Sequence, residues 1–299
     1  MRIESFHEAQ TGSWTHLLAD PDQGVAAVID PVLVYDPASG RTDERFIEKV
    51  LNAACQAGCR VSWVLETHAH ADHLTAADRL RRRTGAKLAC GKGIRAVQRT
   101  FAAVFNEPGL HTDGRQFDRL LAEGDCLRLG SLELRVMETP GHTADSITYL
   151  VGAAAFVGDT LFAPAYGTAR CDFPGGDAAQ LFDSITRLHA LPADTRLYLC
   201  HDYPADGAEA VCSVTVAESR AANVHVAEGA DKKAFVAMRR QRDAGLGLPR
   251  LILPALQINI RGGAAPTPDA SGVSYLRIPF DTSLEELLGR GADSSGSAP

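Results

Sequence analysis

The sequence predicts an α/β fold, in which short apolar strands alternate with amphipathic helices. Three observations support this prediction. The first third of the chain alternates between strand-like and helix-like segments, strand-like runs return between residues 127 and 199, and histidines and aspartates follow several of these runs. A fold of this class places its reactive side chains in loops at one edge of a sheet.

The elements of the first third follow from local patterning. Residues 25–29 form a predicted strand, because Pro31 disfavours helix in the residue before it. Residues 43–58 carry apolar side chains at helical spacing and end in glycine, as an amphipathic helix does. A buried strand is expected over residues 61–65, and a helix over residues 74–84.

The middle of the chain is less regular. Residues 106–114 are rich in turn-forming types, and we expect an exposed loop or insertion over residues 94–114. The remaining predicted elements are strands at residues 132–136, 146–151, 154–157 and 196–199 and helices at residues 178–190, 214–223 and 232–245.

The length of 299 residues allows one or two domains. Hydrophobic residues make up 45% of the sequence and charged residues 22%, which excludes disorder for most of the chain. We expect a catalytic core over residues 1–212 and a helical and extended segment over residues 213–299 that packs on it. Residues 289–299 are rich in Gly, Ser and Ala and predict a disordered tail.

Charge and composition argue against several classes of partner. Thirty Lys and Arg against 37 Asp and Glu give a formal net charge of −7, which disfavours nucleic acid and anionic membranes. No run reaches the roughly 18 apolar residues of a membrane span, and the first residues do not resemble a secretory signal. The seven cysteines are scattered without a CxxC pair, as expected for reduced cysteines. These features predict a cytoplasmic protein.

The most informative segment is a cluster of histidines directly after the predicted strand at residues 61–65. It contains His68, His70, Asp72 and His73. In an extended segment the first three of these side chains project to one side, and the turn into the next helix brings His73 beside them. Helix capping by Asp72 would need only one of the four residues. The cluster therefore predicts a metal site.

Three further polar residues follow three later strands. His142 follows a Pro-Gly turn, Asp159 follows the strand at residues 154–157, and His201 follows the strand at residues 196–199. Taken singly, each has a structural interpretation: His142 as a turn residue, Asp159 as a helix cap and His201 as a buried core histidine. Together with the first cluster they indicate one metal centre.

This pattern, HxHxDH followed by His, Asp and His, resembles that of the metallo-β-lactamase superfamily. The resemblance implies a four-layer αββα sandwich with metal at one edge of the paired sheets, and it covers roughly residues 1–205. Because the superfamily supports many chemistries, the fold does not name the reaction. The matching residues are His68, His70, Asp72, His73, His142, Asp159 and His201.

Further segments resemble the persulfide dioxygenase (sulfur dioxygenase) branch, of the bacterial type associated with sulfide-responsive regulators. In that branch two histidines and an aspartate hold one Fe(II) per chain, and these correspond to His68, His142 and Asp159. Such a set leaves coordination positions open for a thiolate and O₂. The segments that carry the resemblance are residues 167–177, 201–203, 216–223, 248–250 and 259–263.

The resemblance also implies roles for residues around the iron. It places Arg170 near the metal and a glutathione-type thiol near Tyr203 and Arg220, while Asp172 orients Arg170. A purely structural ion pair between Arg170 and Asp172 is the alternative. The resemblance further implies that four residues form hydrogen bonds to the iron ligands, to bound water or to the substrate. They are His70, Asp72, His73 and His201.

The sequence thus predicts an Fe(II)-dependent dioxygenase that acts in sulfide detoxification. It would oxidise glutathione persulfide, or a similar small persulfide, with O₂ to sulfite and the free thiol. Many relatives of this kind are dimers, so the resemblance implies a homodimer, although nothing in the composition indicates one.

Two alternatives stay open. The first is a glyoxalase II-like thioester hydrolase with two zinc ions, in which Asp159 bridges the metals. The second is a non-catalytic metal-binding protein of the same fold. For the hydrolase, one zinc would use His68, His70 and His142, and the other Asp72, His73 and His201.

Overall fold

Two six-stranded sheets and a small third sheet form the framework of the protein. The computed structural model describes residues 1–204, 208–284 and 286–288, so the predicted disordered tail at residues 289–299 lies outside the described residues. The strands are β1 (Arg2–Glu8), β2 (Ser13–Asp20), β3 (Val25–Ile29), β4 (Val32–Asp36), β5 (Arg41–Asp43), β6 (Arg60–Leu65), β7 (Leu74–Thr75), β8 (Lys87–Gly91), β9 (Arg119–Leu121), β10 (Cys126–Leu129), β11 (Leu132–Glu138), β12 (Ile147–Val151), β13 (Ala154–Phe156), β14 (Arg196–Tyr198) and β15 (Ser213–Thr215).

The first sheet has the order β1-β2-β3-β6-β8-β9, and the second has the order β10-β11-β12-β13-β14-β15. The small sheet has the order β5-β4-β7. Strands β3, β6, β8 and β9 are parallel, as are β13 and β14, while the other pairings within the two large sheets are antiparallel. The carboxyl ends of the parallel strands lie at one edge of the sandwich, and the loops that follow them are grouped there.

Seven α-helices cover the outer faces of the two large sheets in the described part of the chain. Those of the first sheet are α1 (Arg45–Gln56), α2 (Ala77–Thr84), α3 (Ile94–Val104) and α7 (Ile252–Asn259), and those of the second are α4 (Ala178–His189), α5 (Val216–Ala222) and α6 (Lys232–Asp243). A central core joins the inner faces of both sheets, with Leu18 and Leu65 from the first and Tyr149 and Phe156 from the second. This is the αββα sandwich that the sequence predicts.

The helices begin where short polar side chains satisfy their free backbone N–H groups. Asp177 accepts a hydrogen bond from the backbone nitrogen of Gln180 at the start of α4. Asp231 caps α6 in the same way, and Thr215 forms a capping box with Glu218 at the start of α5. Polar residues before apolar helical patterns thus account for the starts of the predicted helices in the second half of the chain.

The expectation of an exposed loop or insertion over residues 94–114 is wrong for its first half. Residues 94–104 form α3, whose apolar residues Ile94, Val97, Phe101 and Val104 are buried in the core of the first sheet. Their helical spacing supplies a buried face, which outweighs the turn-forming residues that follow.

The predicted helix over residues 74–84 begins three residues later than expected. Leu74 and Thr75 pair with β4 as the short strand β7, and α2 starts at Ala77. The Thr75 hydroxyl donates to Glu66 and accepts a hydrogen bond from the backbone nitrogen of Ala77, which holds Thr75 outside the helix.

Helix α7 was not expected from the sequence. Pro254 argues against a helix there, but it lies in the first turn, where a missing N–H breaks no helical hydrogen bond. The helix buries Ile252, Ala255 and Leu256 and packs against β7. None of the helices within the described residues combines the length and apolar character that a membrane span requires.

Candidate metal centre

All seven predicted ligand residues lie in loops at the same edge of the sandwich. Four of them, His68, His70, Asp72 and His73, occupy the loop between β6 and β7. The others come from the turn between β11 and β12, from a short 3₁₀ turn (Gly158–Thr160) after β13, and from the residue after Cys200 beyond β14; they are His142, Asp159 and His201. The structure places their side chains in two adjoining groups.

The first group consists of His68, His142 and Asp159, whose ligand atoms all lie within 4.8 Å of one another. The Nε2 atoms of the two histidines are 3.9 and 3.7 Å from Oδ2 of Asp159. His68 Nε2 and Asp159 Oδ1 are buried without a hydrogen-bond partner. Since buried polar atoms without partners are costly, these converging atoms fit a bound metal ion.

Hydrogen bonds orient the two histidine rings of this group. His68 Nδ1 lies 3.0 Å from the hydroxyl of Thr67, which donates to Asp30 at 2.9 Å, so that the ring nitrogen is the donor. His142 Nδ1 donates to the backbone oxygen of Arg170 at 2.7 Å. Both rings therefore present Nε2 to the centre of the group. Burial and the neighbouring imidazoles hold the pKa of His68 well below its usual value, which favours the neutral, ligating form.

The second group consists of His70, Asp72, His73 and His201, again with ligand atoms within 4.8 Å. His201 Nε2 lies 3.2 Å from Asp72 and 3.3 Å from Asp159, so Asp159 stands between the two groups. His73 Nε2 and His201 Nε2 are buried and lack hydrogen-bond partners. This group also has the donor atoms for a metal ion.

The ring of His70 lies beside that of His68, with centroids 4.1 Å apart, but its Nε2 atom faces buried carboxylates. Its Nε2 lies 3.1 Å from Asp30 and 3.4 Å from Glu66, and its Nδ1 lies 4.0 Å from the Cys200 sulfur. Burial opposes a charge on this ring, but Asp30 raises the pKa of His70 well above its usual value. His70 is thus held by buried carboxylates beside the centre.

Beside the second group, the chain that follows β14 forms backbone contacts with β2 of the first sheet. Ser13 forms an isolated antiparallel bridge with His201, and the backbone nitrogen of Trp14 donates to the oxygen of Cys200 at 2.7 Å. The Ser13 hydroxyl lies 3.3 Å from both Asp72 and His73. The two sheets therefore meet at the site itself.

A cavity of about 480 Å³ opens onto Asp72, His142, Asp159 and His201. Its wall combines aromatic and apolar side chains with arginines. The wall includes Phe162, Tyr166, Phe173, Tyr203 and Leu246 together with Arg170, His225, Arg239 and Arg242. Such a cavity suits a small ligand with an apolar part and a negative charge.

Arg170 and Asp172 form the ion pair that the sequence analysis weighed, and Arg170 also lines the cavity. Two guanidinium nitrogens are each 2.6 Å from the Asp172 carboxylate, and a third donates to the backbone oxygen of Gly247 at 2.6 Å. The guanidinium carbon lies 4.9 Å from the ring centroid of Phe173. Asp172 thus orients Arg170 at the cavity wall.

Tyr203 borders the site through His201. Its hydroxyl lies 3.3 Å from His201 Nδ1, and the two rings stack with centroids 5.8 Å apart. Although Tyr203 is 53% exposed overall, partial desolvation raises the pKa of its hydroxyl, so the phenol keeps its proton near neutral pH. A protonated hydroxyl at this position can donate a hydrogen bond into the cavity.

Arg220 does not reach this cavity, which corrects the sequence expectation. Its guanidinium pairs with Glu228 at 2.7 Å and lines a separate surface hollow together with His189. On the short helix α5, Arg220 faces α4 rather than the loops of the site, because β15 directs the helix that way.

Sequence reasoning missed three residues of the cavity, the arginines Arg239 and Arg242 and the histidine His225. Arg239 is buried and pairs with Asp243 at 2.6 Å. Arg242 has no side-chain hydrogen bond or ion pair to any residue that the structure describes. No local signal marks these residues: Arg239 and Arg242 reach the site through the packing of α6 against α4, and His225 lies in the connection between α5 and α6, where its Nδ1 accepts a hydrogen bond from the backbone nitrogen of Thr168.

Comparisons with known proteins agree with this architecture. A family model described as the metallo-beta-lactamase superfamily matches residues 19–201. The chain is 49% identical over 292 residues to a probable metallo-hydrolase of Burkholderia pseudomallei, which covers 94% of this chain and 99% of that protein. It is 39% identical over 283 residues to a Dictyostelium discoideum protein named Glyoxylase B2, with 94% and 97% covered.

A solved structure is also similar over most of the chain. The crystal structure of ETHE1 from Myxococcus xanthus has a TM-score of 0.71 at 31% sequence identity, and the match covers 88% of this chain and 100% of that one. Fold, ligand pattern and family model coincide over the same residues. The chain belongs to the metallo-beta-lactamase superfamily.

Proposed function

We propose that this protein is an Fe(II)-dependent persulfide dioxygenase. It would convert glutathione persulfide, or a similar small persulfide, with O₂ and water into sulfite and the free thiol. The observation that carries the proposal is the separate group of His68, His142 and Asp159, while the Nε2 atom of His70 faces Asp30. Two histidines and one carboxylate are typical of non-haem iron oxygenases.

In the reaction that we propose, the bond between the two sulfur atoms breaks and the terminal sulfur is oxidised by O₂. When bound, Fe(II) supplies open coordination positions for the persulfide sulfur and O₂. Water provides the third oxygen of sulfite, and the inner sulfur leaves as the thiol with one proton. The Nε2 atoms of His68 and His142 and the Oδ2 atom of Asp159 are the side-chain atoms available to hold the iron.

The cavity wall supports an anionic thiol carrier. Arg242 has no ion-pair partner among the residues described and can bind a carboxylate of the carrier. Tyr203 can donate a hydrogen bond, and Arg170 can face a developing sulfur oxide. The structural likeness to ETHE1 from Myxococcus xanthus, at 31% identity over 88% of this chain, supports the branch that the sequence resembles.

A thioester hydrolase with two zinc ions is the second candidate. The observation that favours it is the second group, in which His73 Nε2 and His201 Nε2 are also buried without partners. Asp159 already stands between both groups, as a bridging ligand would. The relative named Glyoxylase B2 supports this alternative.

The deciding experiment measures the metal content of the purified protein together with O₂ uptake. We expect about one iron per chain, as a single two-His, one-carboxylate site implies, and O₂ consumption that requires glutathione persulfide. Two zinc ions per chain, with thioester cleavage and no O₂ uptake, would instead establish the hydrolase.

The variant Asp159→Ala tests whether the measured activity, oxygenase or hydrolase, depends on this metal centre. It should lose both the metal and the activity, because it removes the carboxylate shared by both groups. Asp20→Ala is the matched control, since Asp20 accepts hydrogen bonds from Ser131 at the far end of β2 and touches no ligand. Full activity in Asp159→Ala would contradict the assignment of this residue.

A further inference from the structure

One side chain from the C-terminal segment holds the loop that carries four of the site residues. Asn259, the last residue of α7, is buried. Its amide nitrogen donates to the backbone oxygens of His70 and His73, each at 2.8 Å. Its amide oxygen accepts a hydrogen bond from the backbone nitrogen of Thr75 at 2.8 Å. A single amide therefore satisfies three backbone groups of this loop.

The loop depends on such a partner. Residues 66–73 contain neither helix nor strand, so their buried backbone groups lack the partners that regular structure provides. Asp72 lies between the two carbonyl groups that Asn259 binds, and its carboxylate contacts His73 and His201. Asn259 thus fixes the backbone on both sides of this carboxylate.

The segment that carries Asn259 is itself firmly placed. Ile252, Ala255 and Leu256 of α7 are buried in the core of the first sheet. Four residues beyond Asn259, Gly263 has a φ of +87°, and a Cβ there would lie 2.8 Å from the backbone nitrogen of Asp78 and 3.2 Å from the oxygen of Thr75. This close approach is a second, independent contact with the end of the same loop.

We propose that Asn259 is a positioning residue of the metal centre. It keeps Asp72 and His73 directed toward His201, and it does so from outside residues 19–201, the part that the family model matches. The C-terminal segment would then be an integral part of the site. This inference holds for an oxygenase and for a hydrolase alike, because both use the same loop.

The test compares two nearly identical substitutions on one helix. Asn259→Asp replaces the two N–H donors of the amide by a carboxylate oxygen and leaves its size unchanged. Gln257→Glu does the same to a buried amide that donates to Leu253 and Arg277, at 2.9 Å each, and makes no contact with the metal loop. Both variants should lower the thermal midpoint, since each leaves buried carbonyl groups without donors.

Two readouts independent of turnover separate the variants. We expect Asn259→Asp to weaken Co(II) binding by about 10- to 100-fold, the effect typical of losing a group that orients ligands. In the metal-free protein it should also speed amide hydrogen exchange in the peptide covering residues 68–76. Gln257→Glu should leave both quantities at the wild-type value.

Wild-type Co(II) affinity and exchange in Asn259→Asp would overturn the proposal, and so would equal losses in both variants. Should Asn259→Asp fail to fold, Asn259→Ser takes its place, because its hydroxyl can serve one of the two carbonyl groups. Co(II) binding does not depend on which reaction the enzyme performs, so these results stand even if the dioxygenase proposal fails.

Discussion

The carboxylate of Asp159 lies between the two groups of ligands and contacts both. Its Oδ2 faces His68 and His142, and its Oδ1 faces His201 at 3.3 Å. A metal ion or proton bound on one side of this carboxylate therefore alters the charge that the other side presents. Burial opposes the charge of His201, but Asp159 and Asp72 raise the pKa of that ring well above its usual value. The Nε2 atom of His201 thus lies within reach of both carboxylates, Asp72 and Asp159.

At the same scale, Arg242 should decide the affinity for an anionic substrate. Arg242→Ala should raise KM for glutathione persulfide about three- to ten-fold with little change in kcat, as expected for losing one partly solvated charged contact. The rise should shrink at high salt, because ions screen exposed charges. Steady-state kinetics at two ionic strengths check this.

Arg220→Ala is the matched control for this prediction. Arg220 is paired with Glu228 away from the cavity, so its removal should leave KM unchanged. The opposite pattern, with Arg220 affecting KM and Arg242 having no effect, would restore the expectation drawn from sequence resemblance.

At the scale of elements, the start of α3 packs tightly on the turn that carries His142. A Cβ on Gly93 would lie 2.5 Å from the backbone oxygen of Ala144 and 2.6 Å from the Cα of Asp145. Both neighbouring atoms belong to the backbone and cannot move aside without moving the turn. Helix α3 thus supports one wall of the metal centre.

Gly93→Ala should therefore reduce the free energy of unfolding by about 1–3 kcal/mol, the usual cost of overpacking, and lower the metal content of the purified protein. Gly93 has a φ of −60°, so the substitution tests space and not backbone strain. Chemical denaturation and metal analysis measure the two effects. Gly109→Ala, in open space, should behave as wild type, and an equally stable Gly93→Ala protein would contradict this account of the contact.

At the scale of the whole molecule, buried histidines make stability depend on pH. Burial lowers the pKa of His16 to about 4, and the pKa values of His189 and His225 are also lowered to about 4, mainly by burial. The unfolded chain takes up protons near pH 6.5, whereas the folded protein resists them until about pH 4. The stability from these neutral rings is thus present above pH 6.5 and is lost as the pH falls toward 4.

His16→Gln should reduce this loss, because Gln cannot be protonated. The expected result is a smaller difference between the free energies of unfolding at pH 7 and pH 5 than in the wild type, measured by urea denaturation. The ring of His16 contacts Ser5 through Nδ1 and the oxygen of Leu199 through Nε2, and the Gln amide can keep the second of these hydrogen bonds. An unchanged difference would show that other groups dominate the acid sensitivity.

The parts of the molecule that sequence could predict are those encoded locally. His68 and Asp72 lie in one short segment after an apolar strand, and periodicity identifies most of the helices around them. Arg242 was missed because only the packing of α6 brings it to the site. Asn259 lies within the segment at residues 259–263 that carries the resemblance, but its role appears only from the packing of α7. Arg220 was misplaced for the same reason, since resemblance gives a residue but not the direction of its helix.

The bridge between Ser13 and His201 also has a consequence for protein synthesis. Strand β2 leaves the ribosome early, but its partner at the site follows 188 residues later, and Asn259 later still. Contacts this distant in sequence form late, since the intervening chain must first be made and folded. The second group of metal-binding side chains thus comes together only after residue 201 has been made, and the loop that carries three of them gains its contact with Asn259 later still.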